Sequence, residues 1–168
     1  MKGNWRSAVI VTAAALSCLL GSAAPAMEHD RKAVPLAIDA KAAAIVTVKK
    51  AGEFEKGGVT VMTQAVAVKE TGPKETVARF GEVYAFSPSF IAARRERPLL
   101  VRFWNLQTDD EHDFTLFDAK GRVLASIDLP PLAEVSYDFT FHKEGLFDFR
   151  CTIHQPGMNG QILVLPKE

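Results

Sequence analysis

Two stretches near the end of the chain alternate apolar and polar residues with a strict period of two. Tyr137, Phe139 and Phe141 form one aromatic set, and Phe147 and Phe149 form another, with Cys151 as its next member. A period of two sends successive side chains to opposite faces of an extended strand, so each set lines a single face. Gly145 lies between the two sets, at a turn. Each strand presents a row of aromatic rings on one face, and a lone strand has nothing to bury it against. More strands have to close over it. Asp148 and Arg150 point away from the second row, whereas Cys151 continues it.

The remaining chain supplies those strands. Ile45 to Val48 and Val59 to Val68 read as strands separated by the Gly57-Gly58 turn. Gly72-Pro73 marks another turn. Thr76 to Phe86 reads as a strand ended by Ser87-Pro88. Leu99 to Leu106 is strongly apolar. Asp113 to Asp118 follows, with Phe114 and Leu116 on one face, and Lys120-Gly121 turns the chain. Asp128 to Pro131 interrupts the next segment, and Gln161 to Leu165 forms the last strand. Residues 27–44 are polar and then rich in alanine, which fits either a flexible start or a short helix. No long helical periodicity follows residue 50, and no internal repeat is evident. Many short strands punctuated by Gly and Pro imply an all-β sandwich.

The first 26 residues read as an export signal. Lys2 and Arg6 make a positive start, Ala8 to Leu20 is apolar, and Ala24 and Ala26 occupy the small positions of a cleavage site. The apolar run is short for a membrane span, and an uncleaved anchor is the alternative. Cys18 raises the question of a lipoprotein, but Ala15-Leu16-Ser17 before it fits that signal poorly. Cleavage removes Lys2 and Arg6 from 20 basic residues, leaving 18 against 20 acidic ones. That balance excludes the basic excess of a general nucleic-acid binder. Cleavage also removes Cys18, so Cys151 becomes the single thiol of a chain in an oxidising compartment. It cannot form an internal disulfide. Burial and metal ligation are the two ways to account for it.

The segment Cys151-Thr152-Ile153-His154-Gln155-Pro156-Gly157-Met158 holds a thiol, an imidazole and a thioether within eight residues, just after a strand. His112, between two expected strands, is placed to add a second imidazole. Two His and one Cys in a plane, with a weak axial Met, form the donor set of a blue copper site. Taken singly, Cys151 would be a small core residue, His154 a loop residue and Met158 core filler. Together they point to copper. His29 lies beside the expected cleavage point and His142 near the turn at Gly145, so neither joins the set. Four histidines are too few for an oxygen-reducing copper cluster, and one mature cysteine cannot build a two-cysteine binuclear centre. H-E-x-x-H and G-x-S-x-G motifs are absent from the sequence, which gives no enzyme reading.

Three stretches carry a family resemblance: Val83-Tyr84-Ala85-Phe86-Ser87-Pro88; Val101-Arg102-Phe103-Trp104-Asn105 with His112-Asp113-Phe114; and Phe149-Arg150-Cys151-Thr152-Ile153-His154 with Gly157-Met158-Asn159-Gly160-Gln161-Ile162. The region from Val83 to Leu165 resembles the small cupredoxins, the group of plastocyanin, pseudoazurin and amicyanin. The resemblance implies an eight-stranded or similar Greek-key sandwich with one copper ion near one end. His112, Cys151 and His154 would be the trigonal ligands and Met158 the axial one. His154 would show an edge to solvent and pass the electron, with Gln155-Pro156-Gly157 and parts of the 87–92 loop as docking surface. On this reading residues 1–26 are the leader, 27–75 an N-terminal extension that adds strands, covers a sheet edge or binds a partner, and 76–168 the cupredoxin domain.

There are departures from the family pattern. The loop between His154 and Met158 is intermediate in length between those of plastocyanin and amicyanin. Asp113 stands where the family often has Asn after the first ligand histidine. Glu82 is a candidate ligand for a red-copper variant. The expected function is an exported type 1 copper protein carrying single electrons between periplasmic redox proteins such as a cytochrome or an oxidoreductase. The alternative is a periplasmic copper-binding or copper-delivery protein. Of four methionines, Met1 and Met27 lie at or before the leader boundary, which leaves little of the Met-rich surface that delivery calls for. A metal-free structural sandwich is the third reading.

Overall fold

The computed structural model describes residues 39–52 and 58–168. The leader expected over 1–26, and His29, lie outside the described residues. Asp39 caps a single helical turn, α1 (Ala40–Ala43), its carboxylate accepting from Ala42 N–H at 2.6 Å. The short-helix reading therefore holds for the end of the alanine-rich stretch.

The strands are β1 (Val46–Lys50), β2 (Val59–Ala67), β3 (Val83–Ser87), β4 (Phe90–Arg94), β5 (Pro98–Trp104), β6 (His112–Phe117), β7 (Val123–Leu129), β8 (Glu134–Phe141), β9 (Gly145–Arg150) and β10 (Asn159–Leu165). They form two five-stranded sheets, in the orders β1-β8-β5-β2-β3 and β4-β10-β9-β6-β7. The chain crosses between the sheets repeatedly: β4, then β6 and β7, then β9 and β10 lie in the second, and all others in the first. This is a two-sheet β-sandwich. From the segment 27–75, β1 pairs with β8, and β2 lies inside the first sheet between β5 and β3.

Two local expectations change. Thr76 to Phe86 is not one strand, because Lys74–Phe80 forms a helix, α2, before β3 begins. Pro73 sits at its N-cap with Glu75 in the first turn and Arg79 in the last, and Gly81 ends it at φ 75. None of its residues is buried, so the Lys/Glu/Ala/Arg content favours a surface helix. Phe90–Arg94, read as part of a loop, is β4, an edge strand parallel to β10. The approach here is tight. A Cβ at Gly160 would come within 2.3 Å of both the Phe149 ring and the Ser89 carbonyl, so only glycine lets β10 pass beneath the β3–β4 turn.

Apart from the half-buried Tyr137, the aromatic set is buried as expected. Phe139 and Phe141 from β8 face Phe147 and Phe149 from β9 across the core, with Phe103 from β5 and Phe114 from β6 between them. Ring centroids lie 4.6 Å apart for Phe103–Phe114 and 4.8 Å for Phe114–Phe149. Burying each such ring contributes about 1.5–3 kcal/mol. The result is a stiff frame ending in Cys151.

Candidate metal centre

β6 and β9 are antiparallel neighbours, pairing Thr115 with Arg150 and Leu116 with Phe149. The first residue of β6 and the residue after β9 therefore reach the same end of the sheet. This is why His112 and Cys151, far apart in sequence, converge. Beyond Arg150 the ladder stops, and Asp113 takes its place: its Oδ1 accepts from Thr152 N–H at 2.7 Å and from the Thr152 hydroxyl at 2.9 Å. The loop then folds back on itself. Cys151 N–H donates to Met158 O at 3.0 Å, Met158 N–H to His154 O at 3.3 Å, and Gln155 Nε2 to Cys151 O at 2.6 Å.

This folding brings three donor atoms together. His112 Nδ1 and His154 Nδ1 are 3.0 Å apart, and Cys151 Sγ is 3.9 Å from the first and 3.7 Å from the second. Ligand bonds of about 2.0 Å to nitrogen and about 2.3 Å to sulfur, set trigonally, would space S and N by about 3.7 Å and the nitrogens by about 3.5 Å. The cluster is thus close to the size of a three-coordinate ion site. Among the described residues these three form the group that could hold a metal ion. Cys151 and His112 are buried and His154 is half-buried. Met158, the fourth residue expected in the set, is fully buried in the same loop.

The electrostatics suit a cation. Burial, with His154 close by, pulls His112 down to about 4, so the ring is neutral and offers a lone pair at neutral pH. Burial pushes the Cys151 thiol up, which marks an inert thiol in the absence of a cation rather than a free nucleophile. Cys151 Sγ–H donates to Asp113 Oδ1 at 3.5 Å, and Asp113 Oδ2 accepts from the Thr115 hydroxyl at 2.6 Å.

His142, set aside on sequence, lies outside the cluster. His142 bonds Thr47 and Glu96. Glu82, the red-copper candidate, accepts from Lys69 N–H at 3.2 Å and pairs with the Lys69 ammonium at 3.7 Å.

Sequence reasoning missed Tyr84 and Gln107. The Tyr84 ring lies 4.9 Å from the His112 ring and 4.5 Å from the His154 ring, and its hydroxyl donates to Asp110 Oδ2 at 2.5 Å. Burial and that acidic partner hold the phenol above the usual tyrosine range, so it stays protonated. Tyr84 stood within a stretch that carries the family resemblance, but nothing in strand alternation says that a core tyrosine will pack against two imidazoles. Gln107 contacts the outer nitrogen of His112, and its only signal is its place five residues earlier.

No protein-family model matches the chain, and no curated protein matches it. Among solved structures the chain is similar to the reduced Cu(I) form of an amicyanin point mutant, with 18% identity, a TM-score of 0.44, and coverage of 71% of this chain and 98% of that chain. It is similar to auracyanin A, a "blue" copper protein from the green thermophilic photosynthetic bacterium Chloroflexus aurantiacus, with 16% identity, a TM-score of 0.47, and coverage of 65% and 100%. It is also similar to dithionite-reduced auracyanin from the photosynthetic bacterium Roseiflexus castenholzii, with 19% identity, a TM-score of 0.43, and coverage of 49% and 88%.

Proposed function

We infer that the chain is an exported type 1 copper protein that carries single electrons between periplasmic redox proteins. His112, Cys151, His154 and Met158 would hold one copper ion. The observation that carries this reading is the convergence of His112 Nδ1, Cys151 Sγ and His154 Nδ1 within 4.8 Å of one another. One thiol and two imidazoles form the mixed soft and borderline set suited to copper in both oxidation states. Bound copper would supply a Cu(I)/Cu(II) couple.

The chain's own residues do the rest. β6 and β9 fix His112 and Cys151, and the hydrogen-bonded loop fixes His154 and Met158, so the ligands need little rearrangement between the two states. His154 is half-buried and follows the exposed Ile153 in an otherwise exposed loop tip, Gln155-Pro156-Gly157. That edge is the exit for an electron and the place for brief docking to a cytochrome or an oxidoreductase. A copper-delivery protein would instead present its sulfur ligands to a partner, yet Cys151 and Met158 are both fully buried. No substrate-transforming role follows from this set.

The test is the visible absorption and EPR of residues 27–168 after one equivalent of Cu(II). An intense thiolate-to-copper band with narrow copper hyperfine splitting, bleached reversibly by a reductant, is expected. Tight Cu(I) binding without that band would turn the reading to delivery, and no binding would leave a structural domain.

A further inference from the structure

The outer side of His112 carries an arrangement of its own. His112 Nδ1 faces His154 and Cys151, and His112 Nε2 faces Gln107 Oε1 at 3.1 Å. The protons of that region can be counted. Asn105 is fully buried, and its Nδ2 lies against three carbonyls: Asp110 at 2.8 Å, Leu129 at 2.9 Å and Pro130 at 3.0 Å. Those carbonyls fix which way its amide points. Asn105 Oδ1 is then an acceptor, taking Gln107 N–H at 3.1 Å and the Thr63 hydroxyl at 2.8 Å. Thr63 Oγ1 accepts from Leu106 N–H at 3.0 Å and also touches Gln107 Oε1. A hydroxyl has one proton, and here it faces two acceptor oxygens. With Nδ1 given to a metal, the proton of a neutral imidazole sits on Nε2, and Gln107 Oε1 is in place to accept it.

We propose that Gln107 is a positioning residue, which holds His112 as the Nε2–H tautomer and so presents the Nδ1 lone pair to the metal, with Asn105 and Thr63 bracing it. This rests on the copper reading above. A ligand imidazole whose second nitrogen donates to an oxygen is fixed in both orientation and basicity. The acceptor here is a neutral amide carried on the β5–β6 loop, so it orients the ring without adding charge. Asn105 ties that loop to the β7–β8 turn through Leu129 and Pro130. His112 is thereby held from β2, the end of β5 and β7 as well as from its own strand.

The experiment compares the copper-loaded chain with Q107M and Q107E. Methionine keeps the length and removes the acceptor. Glutamate keeps the acceptor and makes it anionic. Losing the acceptor weakens imidazole donation, which Cu(II) needs more than Cu(I), so Q107M should raise the reduction potential. Q107E should lower it. A tenfold change in the Cu(II):Cu(I) affinity ratio reads as about 59 mV for a one-electron couple, and outer-shell changes typically cost about 10–100-fold in affinity. In the diamagnetic Cu(I) form, a slowly exchanging His112 Nε2–H resonance should persist in the unaltered chain and in Q107E and be lost in Q107M. Opposite shifts are the signature, because loosened packing would move both variants the same way. Shifts of one sign, or none, with the Nε2–H resonance unchanged in Q107M, overturn the assignment. If Q107M does not fold, Q107E decides alone, and an unmoved potential overturns it. Absence of the thiolate band in the unaltered chain is a different result: it removes the copper reading, and this inference with it.

Discussion

The sandwich holds histidines at its two ends in opposite ways. β8 runs from one end to the other, from Glu134 beside Trp104 to Thr140 beside Pro98 and Phe141 beside Val46. At the Phe141 end, each nitrogen of His142 has a partner: Nε2 meets the Thr47 hydroxyl at 2.9 Å and Nδ1 meets Glu96 Oε2 at 3.0 Å. At the other end, His112 and His154 turn their Nδ1 atoms toward each other and toward a thiol, and among the described residues no carboxylate bonds either ring. The first arrangement is complete as it stands, a clasp between β1 and the β4–β5 turn. The second places electron-rich atoms together in a buried site with no positive charge among them. A fold that spends burial on such a group gains from it only when a cation is present.

The sharpest way to break that contrast is Cys151→Ser. Removing the thiolate should abolish the charge-transfer band and cut copper affinity by more than about 100-fold, beyond the range of outer-shell changes. Isothermal titration with Cu(I) and Cu(II) in competing chelators would measure it. A variant that keeps the affinity of the unaltered chain would show that the sulfur is only core filler.

Acid offers the next test, on the metal-free chain. The His112 imidazole titrates near 6.5 when unfolded and at about 4 when folded. Between those values the unfolded chain binds a proton that the folded chain refuses, so stability rises with pH there. The contribution is fully present above about pH 6.5 and is lost as pH falls toward about 4. At 1.36 kcal/mol per unit it amounts to about 3 kcal/mol. Denaturant titrations across this window, with H112Q subtracted from the unaltered chain, should show the slope. A difference that does not vary with pH would mean that the ring is not buried as a neutral group.

Asp113 sharpens the comparison from within the metal end, since it is an acid that faces the sulfur rather than the imidazoles. Its Oδ1 is 3.5 Å from Cys151 Sγ. A carboxylate so close to the thiolate favours the more highly charged Cu(II) form. D113N should therefore raise the reduction potential by tens of millivolts, on the scale of about 59 mV per tenfold in relative affinity. The fold should tolerate the change. The Asn oxygen can keep both Thr152 bonds, and its amide would replace Oδ2 beside the Thr115 hydroxyl, which also lies 2.8 Å from Ser126 Oγ. A potential that falls, or stays fixed, in cyclic voltammetry would remove the charge argument.

Much of this was legible in the sequence, and the exceptions have physical causes. The period-two aromatics and the short spacing from Cys151 to Met158 are local patterns, so the two core strands and the loop that joins β9 to β10 could be read directly. His112 was legible because it precedes an apolar strand that had to lie near Cys151. The helix at Lys74–Phe80 was read as strand because Thr76, Val77 and Phe80 carry strand propensity, whereas exposure and the Pro73 and Gly81 boundaries decided otherwise. β4 was missed because it pairs in parallel with β10, about seventy residues away, and a partner that distant leaves no local signature. Gln107, Asn105 and Thr63 were silent for the same reason. Their roles exist only once β2 and β5 lie side by side.

The smallest effect belongs to the complete end. His142 and Glu96 are partly exposed, and water competes for both. A double-mutant cycle of H142Q and E96Q should give a coupling below about 1 kcal/mol, the usual range for exposed pairs. The Glu96 backbone, at φ 61, is held by its N–H donating to Phe141 O at 2.9 Å, so losing the carboxylate leaves the turn in place. The copper band and reduction potential should not move in either single variant, because the matched clasp and the convergent donors share β8 only as a rigid spacer. A shift of the potential in H142Q would show that the two ends are energetically coupled through that strand. The clasp would then be a support of the metal end rather than its structural opposite.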